Sequence, residues 1–245
     1  MTEDTAVRGL DDPAYVRTQY ATEKGLAARK SVYETVTGPD ARQLTFEAVA
    51  EARPERVLEV GCGEGELAAR LVAELGVELV ALDQSTRMVE LAREKSVDAR
   101  VGDVQRLPFP DASFDAVVAA WMLYHVPSID LALSEIARVL RHDGRLVAAT
   151  NCADHLQEMF ALVGIARWEL PFGGENAERI LRRHFTGVER RDADGTVTFT
   201  SADPIRRYLE SSDRLAASAD DVPELNEPLV ARRRPVVFVA DGPRR

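Results

Sequence analysis

The chain has 245 residues and a formal net charge of -10, and 45% of its residues are apolar. This length and composition suit one substantial hydrophobic core. The acidic balance excludes a protein that depends on binding nucleic-acid phosphates or anionic lipid, so we expect no nucleic acid and no membrane as partners.

The N-terminal part of the chain is predicted to be a helical cap. Residues 1–12 are acidic and lack the apolar segment of a signal peptide, and no stretch of the chain reaches the apolar length that spans a bilayer. Residues 13–50 have the pattern of two or three helices, with a break at Gly38-Pro39-Asp40. We therefore expect a cytoplasmic protein whose first 50 residues cover a core that follows.

The segment from residue 56 to residue 151 alternates short apolar runs with helical patterns. Continuous apolar runs are typical of parallel strands that are buried on both faces. The helical patterns between them have Ser85 and Ser128 where N-caps are expected. The alternation predicts a doubly wound α/β sheet with right-handed crossovers. The five predicted strands are Val57–Val60, Leu79–Leu82, Ala99–Val101, Ala116–Ala120 and Leu146–Ala149.

Residues 152–245 are predicted to supply lid elements and the last strands. We expect helices around residues 155–163, ending near His184, and from Pro204 to about Leu215. The stretch "GVERRDADGTVTFTS" has the pattern of two strands about an Asp-Gly turn, and "PVVFVADG" that of a final strand. The whole chain is thus expected to be a single domain over residues 1–245.

The stretch "VLEVGCGEGELAARL" places a glycine turn after the first predicted strand of the sheet. In an open α/β sheet this edge holds the ligand. A P-loop is excluded because Glu66-Leu67 stands where Lys-Ser/Thr would follow the glycines. A dinucleotide fingerprint fits only partly, since Gly65 comes one residue early for G-x-G-x-x-G.

Carboxylates at three successive strand ends indicate the charge of the ligand. Glu59, Asp83 and Asp103 stand at these ends, and Glu64 lies within the glycine turn. A pyrophosphate prefers a helix N-terminus without competing negative charge. The acids suit a ligand with a ribose, an amino group and a positive centre, as in S-adenosylmethionine.

Four successive motifs in the core resemble those of class I S-adenosylmethionine-dependent methyltransferases, most closely the small-molecule "type 11" group. They are "VLEVGCGEGELA", "VALDQSTRMVELAR", "GDVQRLPFPDASFDAVVAAWMLYHV" and "IARVLRHDGRLVAATN". The resemblance implies a Rossmann-like, mostly parallel sheet of seven strands, the last antiparallel, with helical lid elements at both ends. It also implies methyl transfer to a small-molecule acceptor through an O, N or C nucleophile.

The resemblance assigns roles to individual residues. Glu59 and the glycines would line the methionine part of the cofactor, Asp83 would hold the ribose hydroxyls, and Asp103 would accept from the adenine amino group. The full set expected to bind the cofactor is Glu59, Gly61, Cys62, Gly63, Gly65, Asp83, Gln84, Met88, Gly102, Asp103, Val104, Ala119 and Ala120.

The acceptor side is less clearly marked in the sequence. His125 is the one histidine near the expected reaction centre and is our candidate general base, although packing or helix capping would also explain it. Tyr15 and Tyr33 are candidates to close over the cofactor or to pack in the core. The residues expected at the substrate are Tyr20, Trp121, Tyr124, Asn151 and Phe172.

Several alternatives stay open on the sequence alone. An NAD(P)-binding oxidoreductase of the Rossmann type is opposed by the shifted glycine and by Glu59. A methyltransferase acting on RNA or protein, or a protein that binds the cofactor without transferring methyl, remains possible. The two cysteines, Cys62 and Cys152, have no metal-ligand spacing around them, so we expect neither a metal site nor a disulfide framework. Asp115, at the start of its strand, is expected to be a structural acid.

Overall fold

Strands and helices alternate along the chain in the computed structural model, which describes residues 6–7, 9–21 and 35–244. The described strands are β1 (Ala6–Val7), β2 (Arg56–Val60), β3 (Glu78–Asp83), β4 (Asp98–Val101), β5 (Phe114–Ala120), β6 (Leu140–Asn151), β7 (Arg167–Trp168), β8 (Phe185–Asp192), β9 (Gly195–Phe199), β10 (Leu229–Arg233) and β11 (Pro235–Pro243). The described helices are α1 (Pro13–Gln19), α2 (Ala41–Glu51), α3 (Glu66–Leu75), α4 (Thr86–Glu94), α5 (Ile129–Val139), α6 (Gln157–Ala161), α7 (Ala177–Leu181) and α8 (Asp203–Glu210). Short 3₁₀ turns cover Leu123–His125 and Ala216–Ser218. Tyr33 lies outside the described residues.

A central sheet of seven strands has the order β4-β3-β2-β5-β6-β11-β8. β11 runs antiparallel to both of its neighbours, and the other pairs are parallel. The predicted sheet class and all five predicted core strands are confirmed. Strand order reverses between β2 and β5, so the ligand crevice is expected at the carboxyl ends of these strands.

Helices cover both faces of the sheet. One hydrophobic cluster joins the sheet to Val49 of α2, Leu71 of α3 and Val89 of α4. A second cluster on the other face includes Leu133 and Ile136 of α5, together with residues of α7. The two clusters explain why the strands read as continuous apolar runs, since each strand must present apolar side chains to both layers.

Polar side chains define the ends of several elements. Ser85 is the N-cap of α4 and its hydroxyl accepts from the Met88 N–H at 3.3 Å, as predicted. Ser128 is also at an N-cap, but its side chain makes no cap hydrogen bond. Asp115 accepts from the backbone N–H groups of Glu55 and Arg56 at 3.0 and 2.8 Å, which confirms its structural role.

The two strands predicted within residues 187–201 are confirmed as β8 and β9, but they do not pair with each other across the Asp-Gly turn. β8 pairs with β11, the predicted final strand, in the main sheet, whereas β9 pairs with β10 in a separate two-stranded sheet. The chain leaves the main sheet because Val197 and Phe199 are buried in a third hydrophobic cluster instead. β10 was not predicted because its sequence, "LVARR", ends in charged residues. These side chains have individual partners in the fold; Arg232, for example, forms an ion pair with Glu158 at 2.6 Å.

The third cluster forms a smaller layer beside the main sheet. It contains residues of α6, α8, β9 and β10. β1 pairs with β7 in a parallel two-residue ribbon, which brings the N-terminus onto this layer. The N-terminal and C-terminal elements therefore meet on the same side of the molecule. No helix among the described residues is long and apolar enough to cross a membrane.

The packing of α5 gives a direct test of the fold. Leu133 is fully buried, whereas Leu131 on the same helix is 49% exposed. We expect Leu133→Ala to lower the free energy of unfolding by about 2–5 kcal/mol because it leaves a cavity under the sheet. Leu131→Ala is the matched control and should change it by less than about 0.5 kcal/mol. Urea unfolding of the two variants measures the difference, and equal losses would contradict the packing described.

Candidate functional site

The glycine turn between β2 and α3 has a backbone that only glycine adopts easily. Gly61, Gly63 and Gly65 have φ angles of 66°, 52° and 72°. A Cβ at Gly61 would lie 2.7 Å from the Met122 side chain, and one at Gly65 would lie 2.7 Å from the Ala92 side chain. The turn therefore needs glycine for both conformation and space, and it exposes backbone at the carboxyl edge of the sheet.

Glu59 is a buried carboxylate beside this turn. It ends β2 within the core, 3% exposed, and accepts a hydrogen bond from the Ala68 N–H in the first turn of α3. Burial, together with the nearby charge of Asp83, raises the pKa of Glu59 to about 8. Its Oε2 atom is buried and has no hydrogen-bond partner among the described residues. A buried, unsatisfied acceptor of this kind calls for a donor from a ligand.

Asp83 ends β3 and ties the glycine turn to the next strand. Its two carboxylate oxygens accept from the Gly63 N–H and the Ser85 N–H, each at 2.9 Å. Burial raises the pKa of Asp83, while these hydrogen bonds oppose the shift. The Cys62 N–H donates to the Leu82 carbonyl at 3.0 Å, which further fixes the turn against β3.

Asp103 follows β4 and completes the row of acids. It accepts from the Gln105 backbone N–H at 2.9 Å, and the Gln84 side-chain amide lies 3.5 Å from the same oxygen. The Gly102 N–H donates to the Asp83 carbonyl at 3.0 Å, so the ends of β3 and β4 are joined. Three carboxylates thus lie at the ends of three adjacent strands, as the sequence predicted.

This arrangement fits a cationic aminoacyl-adenosine better than a diphosphate. Glu59 occupies the N-terminal turn of α3, where an anion would otherwise bind. Asp83 takes the Gly63 N–H, which would otherwise be available to a phosphate oxygen. A diphosphate would meet two acidic side chains at close range, whereas an ammonium group would supply the donor that Glu59 Oε2 lacks.

Some residues of the predicted set have a different place. Met88 and Ala119 are fully buried and Val104 is 4% exposed, all in the hydrophobic core, so their side chains support the ligand edge from behind. Contact of Met88 with the ribose stays a prediction. Phe172 is also fully buried, edge-on to Phe238, and is not among the residues that line the cavity described next, so its contact with a substrate stays a prediction as well.

A partly open cavity of about 100 Å³, which we call the inner cavity, lies beyond the ends of β5 and β6. Four predicted residues line it: Tyr20, Tyr124, His125 and Asn151. No motif in the sequence indicated the far wall, which comes from the third hydrophobic cluster and from the residues that follow α8. No Asp, Glu, Lys or Arg of the described residues lines the cavity, and aromatic rings predominate. The aromatic residues are Tyr15, Tyr20, Tyr124, Phe160, Trp168 and Tyr208.

Tyr20 and His125 form a hydrogen-bonded pair at the cavity. Tyr20 Oη lies 2.9 Å from His125 Nε2, and His125 Nδ1 lies 2.8 Å from the Leu10 carbonyl. Because a carbonyl only accepts, Nδ1 carries a proton. When the ring is neutral, Nε2 is the acceptor and the Tyr20 hydroxyl is the donor. The Tyr124 ring, 4.5 Å away in an edge-on arrangement, holds the imidazole from the side.

Tyr20 also connects the acceptor side to the acidic edge. Its backbone carbonyl accepts from the Ser85 hydroxyl at 2.9 Å, and Ser85 itself is bonded to Asp83. On the other side, the Gln19 amide donates to the Ser211 carbonyl at 2.6 Å. The end of α1 therefore bridges the two halves of the site.

Trp121 and Asn151 mark the floor between the two halves. The Trp121 indole N–H donates to Asn151 Oδ1 at 3.3 Å, which directs the Asn151 NH₂ group away from the indole. Trp121 has a φ of 53°, a conformation that costs an aromatic residue about 1–3 kcal/mol. Its backbone N–H donates to Ala149 at 2.8 Å, so neighbouring strands maintain this strained position.

Two further groups near the cavity have structural partners. His155 is 7% exposed and its Nδ1 accepts from the Arg234 N–H at 2.8 Å; burial lowers the pKa of His155 to about 3, so the ring is neutral. Cys152, Asp154 and Glu175 bring possible metal-ligand atoms within 4.8 Å of one another. However, Asp154 pairs with Arg234 at 2.8 Å, so the charge of this cluster is compensated by the protein itself.

Comparisons with known proteins agree with the acidic edge. The methyltransferase domain family matches residues 58–148. The chain is 33% identical over 183 residues to 27-O-demethylrifamycin SV methyltransferase of Amycolatopsis mediterranei, covering 71% of this chain and 59% of that protein. It is 42% identical over 110 residues to demethylmenaquinone methyltransferase of Beutenbergia cavernae, covering 44% and 45%. The chain thus spans about half the length of these curated relatives.

The fold also resembles that of a solved methyltransferase. A Haemonchus contortus phosphoethanolamine N-methyltransferase, solved with S-adenosylhomocysteine, superimposes with a TM-score of 0.63 at 19% identity, covering 97% of this chain and 61% of that one. At this identity the likeness concerns the fold alone. It agrees with the predicted sheet. The chain therefore carries a class I S-adenosylmethionine-dependent methyltransferase domain of the type 11 group.

Proposed function

We propose that this protein transfers a methyl group from S-adenosylmethionine to a hydroxyl oxygen of a small, uncharged acceptor held in the inner cavity. The observation that supports the proposal is the Tyr20–His125 pair, in which Tyr20 Oη lies 2.9 Å from His125 Nε2 while Nδ1 lies 2.8 Å from the Leu10 carbonyl. Such a pair removes a proton from a hydroxyl nucleophile, whereas an unprotonated amine needs no base to react.

The residues at the acidic edge would hold the cofactor. When bound, S-adenosylmethionine supplies an electrophilic methyl group on a sulfonium. Glu59 would accept from its ammonium group, Asp83 would hold its ribose hydroxyls and Asp103 would accept from its adenine amino group. Asp83 and Asp103 already accept backbone hydrogen bonds and are therefore preorganised for these roles.

The proton of the acceptor would leave through Tyr20 and His125. The acceptor hydroxyl would donate to Tyr20 Oη. As its oxygen gains the methyl group, the hydroxyl proton would pass to Tyr20, and the Tyr20 proton to His125 Nε2. The resulting imidazolium would keep its Nδ1–H on the Leu10 carbonyl. The reaction balances because the positive charge lost at the sulfonium reappears as this proton.

The lining of the inner cavity supports an uncharged acceptor. A phosphate or carboxylate would find no cationic side chain there, and an ammonium ion would find no carboxylate. Burial of an unpaired charge is costly. The aromatic rings instead favour a flat or apolar carrier, so a phenol is our preferred hydroxyl compound.

The alternative functions are less well supported. NAD(P) binding would place a pyrophosphate against Glu59 and Asp83. RNA or protein as acceptor would have to insert its nucleophile into a cavity of only about 100 Å³. A protein that binds the cofactor without transferring a methyl group would have no use for the Tyr20–His125 pair as a proton acceptor.

The raised pKa of Glu59 makes cofactor binding depend on pH. Below a pH of about 8 the Glu59 carboxyl is mostly protonated in the free protein, yet an ammonium group needs the carboxylate. Binding of S-adenosylhomocysteine at pH 7 should therefore release up to about one proton, and its affinity should rise between pH 6 and 8. Calorimetry in two buffers of different ionisation enthalpy measures this release. Glu59→Gln should bind more weakly and lose the release, whereas an unchanged release in that variant would contradict the assignment.

The placement of Asp83 gives a second test of the cofactor site. Asp83→Asn should weaken S-adenosylhomocysteine binding by about tenfold or more, a cost of about 1.4 kcal/mol, because a charge-assisted acceptor is lost. Asp98→Asn, an exposed acid paired with Arg100, is the matched control and should bind as the unmodified protein does. NADH should not bind to either. Equal affinities in both variants, or tight NADH binding, would refute the cofactor arrangement.

The proton relay is tested by removing the Tyr20 hydroxyl. A mass-spectrometric screen of uncharged phenols and alcohols for the gain of one methyl group first supplies an acceptor. Tyr20→Phe should then lower kcat by about a hundredfold or more, with S-adenosylhomocysteine affinity unchanged within about twofold. Tyr208→Phe removes a hydroxyl from the same cavity away from His125, and should act mainly on KM. A normal kcat in Tyr20→Phe would show that the pair is structural.

A further inference from the structure

A second space adjoins the inner cavity. It is an open cleft of about 500 Å³, which we call the outer cleft. Trp168 and Leu170 line both spaces, and Gly9 of the outer cleft precedes Leu10 of the inner cavity in the chain. In the described part of the chain, the strap formed by β1 and β7 therefore lies between the two spaces.

In the part of the chain that the structure describes, the ladder of this strap is short. β1 and β7 pair over two residues each. The Gly9 carbonyl accepts from the partly exposed Arg214 side chain at 2.8 Å, and the Trp168 N–H donates to the Ala153 carbonyl at 3.2 Å. The Trp168 ring packs edge-on against Phe160, with 5.2 Å between centroids. A wall with so short a ladder opens at low cost compared with the strands of the central sheet.

The inner cavity is small for a complete acceptor. A cavity of roughly 150 Å³ holds a benzene molecule, and the inner cavity measures about 100 Å³. It therefore takes one small ring with slight adjustment of its walls. Any larger acceptor must extend beyond it, and the outer cleft lies directly across Trp168.

The outer cleft differs from the inner cavity in its chemistry. It presents the carboxylates of Glu169 and Glu175, with Arg167 lying 3.8 Å from Glu169. Glu175 is held in place because one of its oxygens accepts from the Ala153 N–H at 2.9 Å. Two carboxylates against one arginine favour a ligand that donates hydrogen bonds and carries no negative charge, and Trp168 adds an apolar ring face.

We propose that the outer cleft is the second half of the acceptor site, and that it takes an uncharged, hydroxyl-rich part of the acceptor such as a sugar ring. The hydroxyl that is methylated would then enter the inner cavity past Trp168. This inference rests on the proposed function, because it assumes that the inner cavity receives the nucleophile. The hydroxyls of the outer part would donate to Glu175 and Glu169 while its apolar edge lies on Trp168.

Four para-substituted phenols test the inference in the presence of S-adenosylhomocysteine. They share the phenol and differ in the substituent: 4-methoxyphenol has a small one, arbutin a glucose, tyramine an ammonium and 4-hydroxyphenylacetate a carboxylate. Calorimetry should show arbutin binding about tenfold more tightly than each of the other three. Glu175→Gln keeps the shape and the bond from Ala153, but should remove most of this preference and leave 4-methoxyphenol within about twofold.

Glu178→Gln provides the matched control. Glu178 lies nearby on α7, pairs with Arg182 at 2.7 Å and does not line the cleft, so the preference for arbutin should persist. The inference is overturned if arbutin binds no better than 4-methoxyphenol or not at all, if tyramine binds best, or if Glu175→Gln keeps the preference. Failure of the proposed function has a different result, namely that 4-methoxyphenol, which needs only the inner cavity, does not bind in the presence of S-adenosylhomocysteine.

Discussion

The site depends on one constraint, the burial of the Glu59 carboxylate against the first turn of α3. A helix N-terminus attracts anions, and here the protein supplies the anion itself. Asp83 does the same for the Gly63 N–H. Because of both features, the glycine turn, whose geometry resembles that of a phosphate-binding turn, is suited to bind a cation instead. The cost is a carboxyl group with a pKa raised to about 8 and an unsatisfied Oε2, and a positively charged ligand relieves both.

The part of the fold that the sequence predicted is the part that local patterns determine. β2 to β6 are continuous apolar runs, and the glycine turn and its acids follow directly from them, so the sheet and the ligand edge could be derived from neighbouring residues. The Asp-Gly turn predicted two strands correctly but not their partners, because β8 pairs with β11, about 45 residues later in the chain, and a turn pattern carries no information about such a partner. The burial of Met88 and Phe172 was not predictable for a related reason, since motif position does not show which face of an element a side chain takes.

The acceptor side could be predicted only in fragments. Tyr20, Tyr124, His125 and Asn151 were each identified, but their relation was not, because Tyr20 and His125 are 105 residues apart. The far wall of the inner cavity comes from elements whose sequence carries no motif, including Ser211 and Ser212 after α8. Such residues become functional only through tertiary packing, and their ordinary composition gives no signal in advance.

The position of Tyr20 suggests why the two halves of the site act together. Its hydroxyl faces His125, while its backbone carbonyl accepts from Ser85, whose N–H is held by Asp83. A ligand that binds the Asp83 carboxylate therefore acts on the loop that holds the Tyr20–His125 pair. This chain of contacts consists of three hydrogen bonds of 2.9 Å. Because Ser85 lies between Asp83 and Tyr20 in this chain of contacts, we expect a change at Ser85 to disturb the orientation of Tyr20 before it disturbs the sheet.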